Sequence, residues 1–388
     1  MEGKNFGGGS TVHLVCVTKY YLVHLPPKIN QKIMPERFGY DDASVARDHI
    51  TVSMEEKGMN PDNLGEMLIL GSGLGKFPEG YMNEGQVDSP SGPVIITFQD
   101  IYEKLGLKLT GKAVPGHAHK LIIGPLEDAD QNALVFAQSG RRHPYEGLST
   151  KEATFFIRAL QLFSSQRKEV AHTLIGSNAA GIITPEELQP PALMLVSSHH
   201  DLVRTDNPLL GENDDRFGPR FPHNGDLYNA ELRNLAEKVA TDVLDMDLPV
   251  GLYIREPGPN YESAEEIYFL RGLAKMIWDQ GREQPGEDRF NGFNGRVTAT
   301  VGMSSVYEVM VAQHASQSEQ HPAFRTGGIG YISTATNYGC GLSAKGPGAF
   351  PSHDEVKEYA AKVEEIFGNL VFEWILANRI RVKDKMTA

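Results

Sequence analysis

The feature that most constrains this chain is a repeated pattern: a short apolar run that breaks on a turn of small or polar residues. Met67–Leu70 runs into Gly71-Ser72-Gly73-Leu74-Gly75, Leu134–Ala137 leads to Gly140–Gly147, Thr173–Gly176 to Ser177–Gly181, and Gly330–Ser333 to Thr334–Asn337. Runs of this length are strand-sized, and their continuous apolar character suits strands covered on both faces. Val94–Thr97, Leu121–Ile123, Met194–Val196, Val250–Ile254 and Val297–Val301 read the same way. Between them lie stretches with helical spacing: Tyr40–Lys57, a segment from about Thr150 with one broad apolar face (Phe155 to Phe163), Ala264–Met276, Val306–Ala315, and His353 to about Arg379. The alternation predicts a single α/β domain, helices covering a mostly parallel or mixed sheet. The turns then fall at one end of the sheet, where such folds bind ligands.

The formal net charge is −13, from 37 basic and 50 acidic residues, which argues against a nucleic-acid surface or an anionic membrane as partner. An anionic substrate would need a local basic pocket. Cys16 and Cys340 are the only cysteines and lie far apart, so neither a disulfide framework nor a zinc site is implied. No run approaches the roughly 20 apolar residues of a membrane span. Residues 1–33 look unlike the rest, with a linker-like Gly7–Ser10 and an apolar stretch broken by His13, Lys19 and His24. They read as a dispensable extension rather than a signal peptide, with the main domain covering 34–388.

Gly140–Gly147 (GRRHPYEG) offers that basic pocket, although read alone it is equally a solvated turn. Arg141 and Arg142 supply planar forks suited to phosphate, and His143 adds a donor or a proton. Gly71–Gly75 can line an anion with backbone N–H groups and the Ser72 hydroxyl. It is not a dinucleotide fingerprint: the third glycine of G-x-G-x-x-G is missing, and Lys76-Phe77-Pro78 is a poor helix opening. His117, in the turn Val114–His119, is either a packed loop histidine or a second donor toward the same anion. Residues 206–228 form a long irregular stretch with Phe217, Phe221 and Tyr228 as aromatic anchors, and loops of this length are usually functional. Residues 280–296 read as an exposed polar insertion. Taken singly, Met303 reads as a core gap-filler, Asn337 as a turn residue, and His353 as a helix-start histidine behind a Ser352 cap. Glu308 and Glu355 read as solvated or packing partners.

Together the motifs resemble those of the low-molecular-mass, homotrimeric purine nucleoside phosphorylases. The series is ILGSGLG at 69–75, VPGHA at 114–118, GRRHPYEG at 140–147, SNAAG at 177–181 and GENDDRFGPRFP at 211–222. It continues with GPNYES at 258–263, VGMSSVYEVMVAQH at 301–314, TATN at 334–337 and SHDEV at 352–356. The resemblance implies the three-layer α/β/α fold of that family, with a mixed central sheet, and a cytoplasmic enzyme of purine salvage. Its substrates would be purine nucleosides and inorganic phosphate, with no metal or organic cofactor. It implies a phosphate site at Ser72, His117, Arg141, His143, the Ala179 backbone and Ser304, with Glu146 orienting His143. Tyr145 and Met303 would contact the ribose and His353 its 5′-hydroxyl. Tyr261 would stack near the purine, Glu262 would accept from its N1–H side, and Asn337 would bond its N7/O6 edge. Phe221 would reach a neighbouring subunit's pocket.

Two positions depart from the family pattern: Arg142 stands where members carry an aromatic, and Pro144 where they carry a bulky residue. Pro144 would restrain His143, while Arg142 either adds positive charge or points to solvent. The 280–296 and 343–351 insertions flank the base and 5′ regions. The nearest rival is the sister family of methylthioadenosine phosphorylases, which has an aspartate in place of Asn337, no Glu262 equivalent and an apolar 5′ pocket. A rival of another class is a catalytically silent nucleoside-binding protein.

Overall fold

A computed structural model describes residues 37–71, 75–82, 92–109, 118–127, 129–130, 132–166, 168–202, 206–281, 297–342 and 352–387. The expected extension 1–33, Ser72, His117, the 343–351 insertion and nearly all of 280–296 lie outside them. Residues 37–388 form one compact unit. Its elements in order are α1 (Tyr40–Glu56), β1 (Leu64–Leu70), α2 (Phe77–Tyr81), β2 (Val94–Thr97), α3 (Phe98–Lys104), β3 (Lys120–Pro125), β4 (Leu134–Ser139), α4 (Thr150–Ala153) and α5 (Phe155–Gln161). There follow β5 (Thr173–Ile182), β6 (Ala192–Asp201), α6 (Ala230–Asp242), β7 (Val250–Arg255), α7 (Ala264–Gly281), β8 (Ala299–Gly302), α8 (Val306–Ser316), β9 (Gly328–Tyr338) and α9 (His353–Thr387).

The strands form a 9-stranded sheet in the order β2-β3-β4-β1-β5-β8-β7-β6-β9, and β9 also pairs with β5. It is mixed: β1, β4, β5 and β9 run parallel, while β8 meets β5 antiparallel. Because β9 returns to β5, the strands β5, β8, β7, β6 and β9 close on themselves. The apolar runs do lie between two helical layers. In β1, Met67 and Ile69 pack with α1, α3, α5 and α8, whereas Leu68 and Leu70 pack with α2, α6 and α9. Each such side chain contributes roughly 1.5–3 kcal/mol by leaving water. A third cluster joins α7 to β7 and β8 through Ile267, Leu270 and Ala274. Among the described residues no helix is long and apolar enough to cross a membrane.

Several expectations shift on inspection. A helix does follow Gly75: Pro78 sits in the first turn of α2, where its missing N–H is not needed. Segment α5 is buried on every side, Arg158 and Gln161 included, rather than apolar on one face. Ser177–Gly181 and Thr334–Asn337 are not turns but strand residues, because β5 and β9 pair through them. The register slips between Ala180 and Gly181, so β9 carries one extra residue there. Such a bulge re-aims the side chains around it.

Residues 206–228 hold no helix or strand of the named set, as expected, and are pinned from beneath by α5 and α8. Arg158 donates to His314 Nδ1 (2.7 Å), and His314 Nε2 donates to the Pro219 carbonyl (3.0 Å). Gln161 donates to the Phe217 carbonyl (2.8 Å), and the Arg158 guanidinium lies 4.7 Å from the Phe217 ring centre. An arginine can only donate, so Nδ1 must be the acceptor and the ring must be neutral. Burial and the facing Arg158 lower the His314 pKa from 6.5 to about 4. The folded state therefore excludes a proton that the unfolded chain accepts, so this part of the stability is complete above pH 6.5 and is lost as pH falls toward 4. Denaturant unfolding at pH 7 and pH 5 should show lower stability at pH 5. The difference should shrink in His314→Gln, and an undiminished difference would place the acid sensitivity elsewhere.

Candidate active site

The loop after β4 is built by its own sequence. Gly140 and Gly147 both adopt positive φ, 86° and 89°, and bracket the charged residues. His143 is extended (φ −124°, ψ 147°), as a residue before proline prefers, and Pro144 opens a single 3₁₀ turn to Glu146. Glu146 Oε1 accepts from the His143 backbone N–H (2.8 Å) and faces its Nδ1 at 3.0 Å. The carboxylate thus holds the ring as expected, directing Nε2 away from it. Burial, with Arg141, His119 and Arg142 around it, pushes His143 well below its usual pKa, so the imidazole is neutral. Tyr145 stacks on His143, ring centres 4.5 Å apart. Arg142 is buried against Glu146 (Nε to Oε2, 3.2 Å) and does not point to solvent.

Arg141 is 2% exposed and held by a residue whose role the sequence left bland. Glu308, from α8, is itself 3% exposed and accepts from Arg141 Nε (2.9 Å) and Nη2 (3.1 Å). Nη2 also donates to the Ser177 carbonyl (2.7 Å), and Nη1 lies 3.5 Å from Ser304 Oγ. Ser304 stands at the turn between β8 and α8, where Ser305 has φ 72° and the Val306 N–H donates to the Ser304 carbonyl (2.9 Å). That strained turn is secured by Asn178 Nδ2 donating to Ser305 Oγ (3.0 Å), with Ser333 Oγ donating to Asn178 Oδ1 (2.8 Å).

Arg141, His143, Tyr145 and Ser304 line a cleft of about 340 Å³ near the C-terminal ends of β4, β5, β8 and β9. Ala179, Ala180, Gly181, Val301 and Met303 also line it, as do Tyr261, Glu262, Asn337 and His353. Gly258, at φ +65°, lets the loop after β7 approach Met303, since a Cβ there would stand 2.4 Å from its sulfur. The bulge in β9 places Thr336 and Asn337 together on the cleft wall. The Tyr338 carbonyl can only accept, so Nδ2 faces it (3.0 Å) as the donor end of the Asn337 amide, and Oδ1 accepts from Thr336 Oγ1 (3.0 Å). Burial pushes the Glu262 carboxyl above its usual range, helped by Glu256 and Glu266. His353 opens α9, and the Glu355 N–H donates to Ser352 Oγ (3.2 Å), the cap expected there.

Arg141, His143, Tyr145, Ala179, Tyr261, Glu262, Met303, Ser304, Asn337 and His353 therefore converge on one cleft. Phe221 does not join it; it projects from the 206–228 loop, 87% exposed. Glu308, Asn178 and Thr336 were not singled out from sequence as parts of the site. Ser304 and Glu308 are only four positions apart, across the turn into α8, a signal readable only once Arg141 is known to lie against both. A larger recess of about 570 Å³ near Glu187, Asp247 and Ile366 is lined by no basic side chain among the described residues.

Residues 97–375 match the family model of the Phosphorylase superfamily. The chain is 35% identical over 305 residues to purine nucleoside phosphorylase 1 of Bacillus subtilis, covering 78% of this chain and 89% of that one. It is 32% identical over 300 residues to purine nucleoside phosphorylase 1 of Geobacillus stearothermophilus, 77% and 86% of the two chains. Isoform 2 of purine nucleoside phosphorylase from Schistosoma mansoni, solved with cytosine and ribose-1-phosphate, superposes with a TM-score of 0.64 at 26% identity, over 88% of this chain and 98% of that one. With the motifs, the sheet and the cleft in agreement, the chain belongs to the purine nucleoside phosphorylases of the Phosphorylase superfamily.

Proposed function

We propose that this chain catalyses the reversible phosphorolysis of 6-oxopurine nucleosides, inosine and guanosine and their deoxy forms, to free base and (deoxy)ribose 1-phosphate. The observation that carries the reading is one cleft that brings Arg141, His143 and Ser304, suited to an anion, together with Glu262 and Asn337, suited to a purine edge. Tyr145 and Met303 line the same cleft and would contact the ribose. The names of the bacterial relatives and the ribose-1-phosphate in the Schistosoma enzyme support the same reaction.

Phosphate is held below the sugar by Arg141, Ser304 and the Ala179 backbone, with Ser72 and His117 as further donors. Neutral His143 donates Nδ1–H to Glu146, so its Nε2 accepts from the P–OH group and orients one phosphate oxygen. That oxygen forms the new bond to C1′ as the C1′–N9 bond breaks and its electron pair passes into the purine. The transition state has oxocarbenium character, and the phosphate charge stabilises it. Asn337 Nδ2 donates to N7 as negative charge builds there, an interaction stronger in the transition state than in the ground state. Glu262, made more basic by its burial, accepts from N1–H and selects a 6-oxo base. Phosphate is the second substrate, and no step calls for a metal or organic cofactor. The exposed Phe221 supports a homotrimer in which this loop walls a neighbouring subunit's cleft.

Purine release from inosine, guanosine, adenosine and methylthioadenosine, each with and without phosphate, tests the reading. Phosphate-dependent cleavage of inosine and guanosine alone is expected. Cleavage without phosphate would make the protein a hydrolase, preference for 6-amino substrates would move it to the sister activity, and binding without cleavage would leave a silent binder. Asn337→Ala should lower kcat for inosine about 10²–10³-fold, the usual cost of one transition-state donor. Glu146→Ala, which unlocks His143, should raise the KM for phosphate about tenfold with little change in the KM for inosine. Equal changes in both constants would assign Glu146 to the fold instead.

A further inference from the structure

Behind the Arg141–Glu308 pair stands a third group that no part of the reaction so far uses. Tyr331, in the middle of β9, is 1% exposed, and its phenol donates to Glu308 Oε2 at 2.6 Å. Glu308 Oε2 is the same oxygen that receives Arg141 Nη2, so one carboxylate oxygen joins tyrosine and arginine. The backbone has made room for this ring. A Cβ on Gly176 of β5, opposite Tyr331 in the register, would stand 2.1 Å from the Tyr331 ring. Burial and the Glu308 charge push the Tyr331 phenol well above its usual range, so it stays a donor at any working pH. Tyr228 packs edge-on against the ring, 6.2 Å between centres, fixing its plane.

We propose that Tyr331 is a positioning residue for phosphate binding, acting through Glu308 on the Arg141 guanidinium. The proposal rests on the phosphate role given above to Arg141. A carboxylate pivoting about its own side chain can meet an arginine in several ways. The phenol occupies one direction at Oε2 and leaves the Nε/Nη2 edge of Arg141 as the arrangement that satisfies both oxygens. Nη1 is thereby turned toward Ser304, along the cleft wall. The phenol also draws charge from Oε2, so Glu308 compensates the arginine less fully and more positive potential reaches the anion.

The variant to make is Tyr331→Phe, which keeps the ring and removes only the hydroxyl. Calorimetric titration with inorganic phosphate, and separately with inosine, reads binding without requiring turnover; steady-state kinetics with inosine then gives both KM values. Expected is a rise of about tenfold in phosphate Kd and KM, the loss of one hydrogen bond to a charged group, with inosine Kd unchanged. Glu308→Gln supplies the second arm: if Tyr331 acts through Glu308, adding Tyr331→Phe to that variant should change phosphate affinity far less than it does in the wild type. Unchanged phosphate affinity in Tyr331→Phe, equal loss of phosphate and inosine, or full additivity with Glu308→Gln would each overturn the proposal. Wild-type protein that binds phosphate but leaves inosine intact would refute the proposed reaction while the Tyr331 comparison is still decided. Wild-type protein that binds no phosphate would overturn both.

Discussion

A guanidinium enters a protein interior only with its charge met and its donors directed, and this requirement organises the centre of the molecule. Arg141 is carried in by the loop after β4, Glu308 by the first turn of α8, and the Ser177 carbonyl by β5. Breaking such a pair by removing one partner costs about 3–5 kcal/mol, because the other charge is left buried. The three segments must therefore assemble together, and the cleft edge they form is set by a hydrogen-bond geometry as well as by apolar packing. Apolar burial holds the helices on the sheet, but it is indifferent to small rotations of a side chain. The ion pair is not.

The cleft wall at Thr336 and Asn337 is fixed by a different device. β5 and β9 run side by side through residues that a sequence reading takes for turns, and the slip at Ala180/Gly181 turns Thr336 and Asn337 onto one wall. The Tyr338 carbonyl, which can only accept, then decides which end of the Asn337 amide donates. Neither feature requires a side chain larger than asparagine.

Much of this was legible in the amino-acid order, and the reason is local. Apolar runs such as Met67–Leu70 and Thr173–Gly176 declare buried strands, Gly140 and Gly147 declare positive φ, and Pro144 declares the extended His143 before it. Glu146 could be assigned to His143 because three residues separate them. Glu308 could not be assigned to Arg141, 167 positions away, and read as a solvated or packing residue. Tyr331 looks like one more apolar strand position, and Gly176 like a strand-ending glycine, until the register puts one opposite the other. Arg158 and His314 sit in helices whose apolar pattern gives no sign that their polar groups hold up the 206–228 loop. Pairings across the sheet, and the bulge that shifts one of them, are the information that local spacing does not contain.

The charge of the whole chain bears on how an anion would be recognised here. With a net charge of −13 the protein offers phosphate no long-range attraction, and screening confines exposed charges to about 8 Å at physiological salt. Within the site the basic groups are also largely compensated, Arg141 by Glu308 and Arg142 by Glu146, and His143 is neutral. Affinity for an anion must then come from donors already aimed at it, not from surplus positive charge. Preformed donors pay their ordering cost when the protein folds, so an arriving ligand does not. That places the burden on whatever holds each polar group in line: Glu146 for the accepting His143, the Ser305 turn for Ser304, and Glu308 with Tyr331 for Arg141. A site built this way tolerates an acidic protein around it, and it is sensitive to the loss of a single hydroxyl that the ligand never touches.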